Sequence, residues 1–109
     1  MTTVQFFHQH QWISGFEING HSSDHAEDLQ GKLVCAAVSS AAYLVANTLI
    51  EVLKSDVASH VSEQLMTIRV LNPESAECQA VLKGFQLHLD ALSKQYTQKI
   101  TIKKVIQSC

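Results

Sequence analysis

The sequence has no block of basic residues. Its 109 residues carry a formal net charge of −2 with histidines neutral, and only Lys99, Lys103 and Lys104 fall near one another. Three lysines read as the solvated end of a strand, so no nucleic-acid partner is expected. The opening segment, MTTVQFFHQHQW, lacks a basic stretch followed by an apolar one. No secretory signal is therefore expected, and the cytoplasm is the expected compartment. The cysteines, Cys35, Cys78 and Cys109, are odd in number and lack Cys-x-x-Cys spacing. That pattern argues against a disulfide framework and a structural zinc site, and free thiols fit a reducing compartment. No internal repeat, linker or low-complexity tract divides the chain, so one domain over 1–109 is expected.

What is present is enough apolar material for a core, 46% hydrophobic against 17% charged. The run LVCAAVSSAAYLVANTLI, between Lys32 and Glu51, has 18 residues without a formal charge, near the minimum for a membrane span. Ser39, Ser40, Asn47 and Thr48 interrupt it, much of it is alanine, and no second span or aromatic belt accompanies it. It reads as a central helix, from about Leu33 to Leu53, buried on most sides. No membrane partner is expected.

The remaining elements follow from periodicity. Val4, Phe6 and His8 recur at a period of two, and Trp12 to Ile18 is a second β-favouring run. A turn near His10–Gln11 makes them a hairpin, and Gly20 ends the second strand. A polar, acidic loop follows from His21 to Gln30. Val57, Ser59 and Val61, then Met66, Ile68 and Val70, alternate about a Ser62–Glu63–Gln64 turn and predict a second hairpin. Asn72–Pro73–Glu74 reads as a helix start with Asn72 as N-cap. The helix beyond it buries Cys78, Val81, Leu82, Phe85, Leu89, Leu92 and Tyr96, with Gln79, Lys83, Gln86, Asp90 and Lys94 off that face. The segment KITIKKVI is a last strand. The order ββαββαβ predicts an α+β fold: a largely antiparallel five-stranded sheet with two helices packed on it.

Chemistry gathers between Gly20 and Ser40. With a helix starting at Leu33 or Val34, Cys35 falls in the first turn, where unpaired N–H groups and the helix dipole favour a thiolate. A histidine within reach completes a nucleophile and its base. His21, at a strand end, is better held than His25, inside the loop. Ser39 lies one turn on from Cys35 and either supports the substrate carbonyl or simply permits close helix packing. Backbone N–H groups at the helix start, that of Cys35 among them, are the expected oxyanion donors. The residues alone leave open a plainer reading, in which Cys35 is an ordinary buried thiol.

The run from Gly20–His21 through Gly31 to LVCAAVSS resembles the ribosomal-processing cysteine protease family, Prp. Its pattern is Gly-His-Ala, a short loop, then Gly-x-Asp-Ile/Leu-Val-Cys-Ala-Ala/Gly-Val-Ser. The length and element order agree over essentially the whole chain. Ser22 stands in place of the alanine, the loop is longer, and Gly31–Lys32–Leu33 omits the acid, which leaves Asp24, Glu27 or Asp28 to supply one. The resemblance implies a cysteine endopeptidase with a His21–Cys35 dyad. Gly20 and Ser39 are expected at the substrate, and no cofactor or metal is expected. On the same resemblance the substrate would be the N-terminal extension of the twenty-seventh large-subunit ribosomal protein, and the assembly a homodimer.

Other residues carry less. His8 and His10 form a His-x-His pair on one strand face with no third ligand in reach, so they are read as exposed strand residues. His60 and His88 are isolated, Cys78 belongs to the core, and Cys109 is a terminal thiol. The loop Ser22 to Gln30 is expected to order over bound peptide. Tyr43, Val45 and Leu49 are expected to lack partners in one subunit and to form the dimer contact. The alternative function is a non-catalytic, dimeric, ribosome-associated binding module with the same fold.

Overall fold

The computed structural model describes residues 1–20 and 28–106. Strands β1 (Thr2–Gln9) and β2 (Trp12–Gly20) form the first hairpin, and helix α1 spans Leu29–Asn47. Strands β3 (Val57–Val61) and β4 (Leu65–Val70) form the second hairpin, followed by helix α2 (Ala76–Gln95) and strand β5 (Ile100–Ile106). The sheet order is β3-β4-β2-β1-β5. Three neighbouring pairs are antiparallel and only β1–β5 is parallel, because α2 carries the chain across before β5. The predicted ββαββαβ order and α+β class therefore hold.

One face of the sheet carries both helices. Val4, Phe6, Phe16, Ile18, Met66, Ile68, Val70 and Ile100 form its buried surface, joined by α1's Val34, Val38 and Ala42 and α2's Leu82, Phe85 and Leu89. Full burial of each large apolar side chain contributes roughly 1.5–3 kcal/mol before entropy is counted. Phe6, Phe16 and Phe85 meet at ring centroids 4.8–6.4 Å apart, which ties α2 to the first hairpin. Gly15 is required on β2: a Cβ there would overlap the Ile68 carbonyl oxygen of β4.

Several expectations need correction. Helix α1 starts at Leu29, not Leu33, because Asp28 is its N-cap: the Gly31 N–H donates to Asp28 Oδ1 (2.9 Å). The Lys99 ammonium donates to the same oxygen at 2.9 Å, pinning the cap to the start of β5. Asp28, with Lys99 first and the Gly31 amide second, is held below the usual carboxylate range. The predicted loop to Gln30 is thus shorter, and its Ser22–Glu27 portion lies outside the described residues. At its other end α1 runs into a π-helical turn, Thr48–Val52, in which Leu53 N–H reaches the Thr48 carbonyl.

Nor is α1 buried on most sides. Its buried residues are a single stripe, Val34, Val38, Ala42, Val45 and Ala46. The segment Leu29–Val52 is long and apolar enough, by length and composition, to cross a membrane, and 33% of its most apolar window is buried. Leu29, Leu33, Tyr43 and Leu44 face outward instead. Of the three residues expected to lack partners, only Tyr43 is exposed; Val45 and Leu49 are in the core.

Helix α2 is capped by Ser75, whose hydroxyl accepts from the Cys78 N–H (3.1 Å), rather than by Asn72. Pro73 is buried ahead of the helix. Gln79, placed on the polar face by periodicity, is buried. Its amide donates to the Ile13 and Pro73 carbonyls (2.8 and 2.7 Å) and accepts from Ile13 N–H (3.1 Å). The ladder slips between Phe7 and His8, where Ser14, next to Ile13, is the extra residue on β2. Gln79 supplies Ile13's main chain with partners, and a buried amide group left unpaired there costs about 1–3 kcal/mol.

Candidate active site

Cys35 lies on α1 where that helix passes the end of β2. Gly20, the last residue of β2, is close against it: a Cβ at Gly20 would lie 3.3 Å from Cys35 Sγ. The Gly20 N–H is fixed by the Gln64 carbonyl of the second hairpin (3.0 Å). The absence of a side chain at Gly20 thus lets the strand end approach the thiol.

Around this contact is a cavity of about 90 Å³. Gly20, Cys35, Ser39 and Tyr43 line one side, and Val61, Ser62, Glu63, Gln64 and Leu65 line the other. Cys35 and Ser39 are both half-buried, one helical turn apart on the same wall. The structure therefore brings together Gly20, Cys35 and Ser39. His21 and His25 lie outside the described residues, although His21 is bonded directly to Gly20.

The position of Cys35 differs from the expected one. With Leu29 as the first helical residue, Cys35 falls in the second turn, and its N–H lies within the helical hydrogen-bond ladder. It is not a free donor at a helix start, and the dipole acts on it less than on a first-turn residue. Of the acids that could supply the missing one, Asp28 holds Gly31 and Lys99 through Oδ1, while Asp24 and Glu27 lie outside the described residues. The groups that face the thiol across the cavity come from the Ser62–Gln64 turn, which sequence reasoning read only as a connection. A polar tripeptide between two strands carries no signature of a site wall.

Cys78 is different chemistry. It is fully buried, and burial pushes its thiol up, with the Glu74 carboxylate adding to the push. His8 and His10 do not share a strand face. His8 is half-buried on β1, while His10 sits in the turn with φ 58°. The His8 Nε2 is buried without a hydrogen-bond partner among the described residues. Burial, then the nearby Lys104 charge, holds its imidazole below the ordinary value. No three metal-ligating side chains cluster among the described residues. A larger apolar cavity, about 430 Å³, lies between α1 and α2 among Ala41, Leu44, Val45, Phe85 and His88. Its lining holds no thiol, so volume alone does not mark the reactive site.

What the cavity at Cys35 offers is a half-buried thiol, a neighbouring hydroxyl and a narrow slot between a helix and a hairpin. That suits acyl transfer from an extended chain. Solved structures share the fold. A Streptococcus mutans protein, SMU.848, superposes with a TM-score of 0.86 at 23% identity, covering 98% of this chain and 99% of its own. The ribosomal processing protease Prp of S. aureus, in complex with a substrate peptide, gives 0.85 at 18% identity, covering 96% and 100%. The same protease with a covalently linked product peptide gives 0.84 at 18% identity over the same shares. No curated protein sequence matches the chain. The family model for cysteine protease Prp matches residues 1–101, and with the thiol cavity this places the chain in that family of cysteine proteases.

Proposed function

We propose that the protein is an endopeptidase that removes the N-terminal extension of the twenty-seventh large-subunit ribosomal protein, using His21 and Cys35. The approach of Gly20 to Cys35 Sγ carries this reading. One peptide unit, about 3.8 Å between Cα atoms, separates Gly20 from residue 21. Five separate it from His25, so connectivity favours His21 as the base. In the reaction His21 takes the Cys35 proton, and the thiolate attacks the scissile carbonyl carbon. The C–N bond breaks as His21 returns the proton to the leaving amine, which leaves a thioester. Water, deprotonated by His21, then cleaves the C–S bond and restores the thiol. Ser39 offers its hydroxyl to the substrate carbonyl from the adjoining turn. The S. aureus protease of the same fold is a ribosomal processing enzyme seen with substrate and product peptides, which supports the same substrate class here.

A second copy is the natural cover for α1. Leu29, Leu33, Tyr43 and Leu44 form an outward apolar ridge, the kind of surface that a dimer buries. A cytoplasmic homodimer acting on a ribosomal-protein precursor follows from these readings. The test is incubation with a synthetic peptide spanning the extension, with cleavage read by mass. The wild-type chain cuts it at one bond and Cys35→Ala does not; cleavage by both, or by neither, overturns the proposal. Sedimentation at micromolar concentration reads the dimer, and a monomer there removes that part.

A further inference from the structure

The two edges of the sheet are built differently. On β5, Lys103 and Lys104 stand in the strand, the usual protection against a further strand adding to an edge. On β3 there is no lysine, proline or register slip, and four of its five residues are exposed. The hydrogen bonds fix which β3 groups face outward. Ser62 N–H donates to the Leu65 carbonyl, and Leu71 N–H to that of Asp56. With Val57 opposite Val70, this makes Ala58 and His60 the residues whose main chain pairs with β4. The N–H and C=O groups of Val57, Ser59 and Val61 therefore point away from the sheet, and no other strand pairs with them among the described residues.

This free edge leads into the site. Val61, 51% exposed, and Ser62 line the same cavity as Cys35 and Gly20. A chain laid along β3 is therefore directed at the thiol by main-chain hydrogen bonds, independently of its side chains. We propose that β3 is the docking edge for the substrate: the segment flanking the scissile bond adds as a sixth strand, hydrogen-bonded to Ser59 and Val61. The occupant is an extended, uncapped polypeptide, and the edge gives binding while the cavity walls give selectivity. This rests on the endopeptidase reading above.

Two measurements test it. In the Cys35→Ala protein, amides of Ala58 and His60 are slow in hydrogen exchange and those of Ser59 and Val61 are fast; saturating extension peptide slows Ser59 and Val61. In the active enzyme, Ser59→Pro removes one outward N–H and no ladder bond, since proline is tolerated where an edge N–H faces solvent. It is expected to raise KM roughly tenfold with kcat and melting temperature little changed. A peptide N-methylated at alternate amides separates the case in which Ser59→Pro disturbs the fold: cleavage by wild type falls at every second position only. Cleavage with Ser59 and Val61 unprotected, or with no alternation, overturns the β3 edge and leaves the endopeptidase reading standing. Failure of wild type to cleave the extension peptide overturns both.

Discussion

Cys35 and Cys78 are the same functional group on two helices that share one face of the sheet. By position along the helix, Cys78 is the better placed to ionise: it is the third residue of α2, and its own N–H is held by the Ser75 cap. Cys35 is a full turn further into α1. Yet Cys78 is sealed in the core beside Glu74, and its thiol is pushed up. Cys35 opens on a cavity against a glycine. A helix N-terminus is worth roughly 0.3–1 kcal/mol to a nearby negative charge. Removing a thiolate from water costs more than that, so solvent access outweighs the dipole in sorting the two thiols.

The contrast is broken most severely by mutation. Cys35→Ala is expected to reduce peptide cleavage by about a thousandfold or more, whereas Cys78→Ala keeps cleavage and lowers the melting temperature. His21→Ala is expected to match the loss in Cys35→Ala, the double mutant to be no worse, and His25→Ala to keep most activity. Kinetics on the four variants decide it; the reverse pattern for the two histidines moves the base to His25. Gly20→Ala places a methyl group 3.3 Å from Sγ. A several-fold fall in kcat with the fold retained is expected, read by kinetics beside thermal unfolding.

The smallest effect lies at the α1 cap. Asp28→Ala frees the Gly31 N–H and the Lys99 ammonium and is expected to lower the melting temperature without changing the cleavage site. Because the Asp28 carboxyl is depressed when folded, its contribution is present in full above the ordinary value of 3.8 and is lost progressively as pH falls from there through the lowered folded-state value. Thermal unfolding of wild type against Asp28→Ala, followed from about pH 6 downward, is expected to show a constant gap above 3.8 that narrows as the pH falls below it.

Much of this was legible in sequence because it rests on period and turn chemistry. The strand alternations, the Ser62–Gln64 turn, the stripe on α2 and the Gly20-to-Cys35 interval all declare themselves locally. The features that escaped depend on partners remote in the chain. Asp28 caps α1 with help from Lys99, 71 residues away, and Gln79 is buried because Ile13, 66 residues away, needs it. The outward ridge of α1 escaped because an alanine-rich helix is apolar all round, and only the sheet decides which stripe is covered. The β3 lip of the cavity escaped because main-chain pairing, not residue type, gives it its role.

The most direct test sets the two thiols against one reagent. Wild-type protein is treated with sub-stoichiometric iodoacetamide near neutral pH, and each sample is divided between peptide mapping and assay on the extension peptide. Cleavage is expected to fall in proportion to Cys35 carboxamidomethylation, with Cys78 unmodified throughout. Full activity with Cys35 blocked, or loss that follows Cys78, would contradict the assignment of Cys35 as the nucleophile.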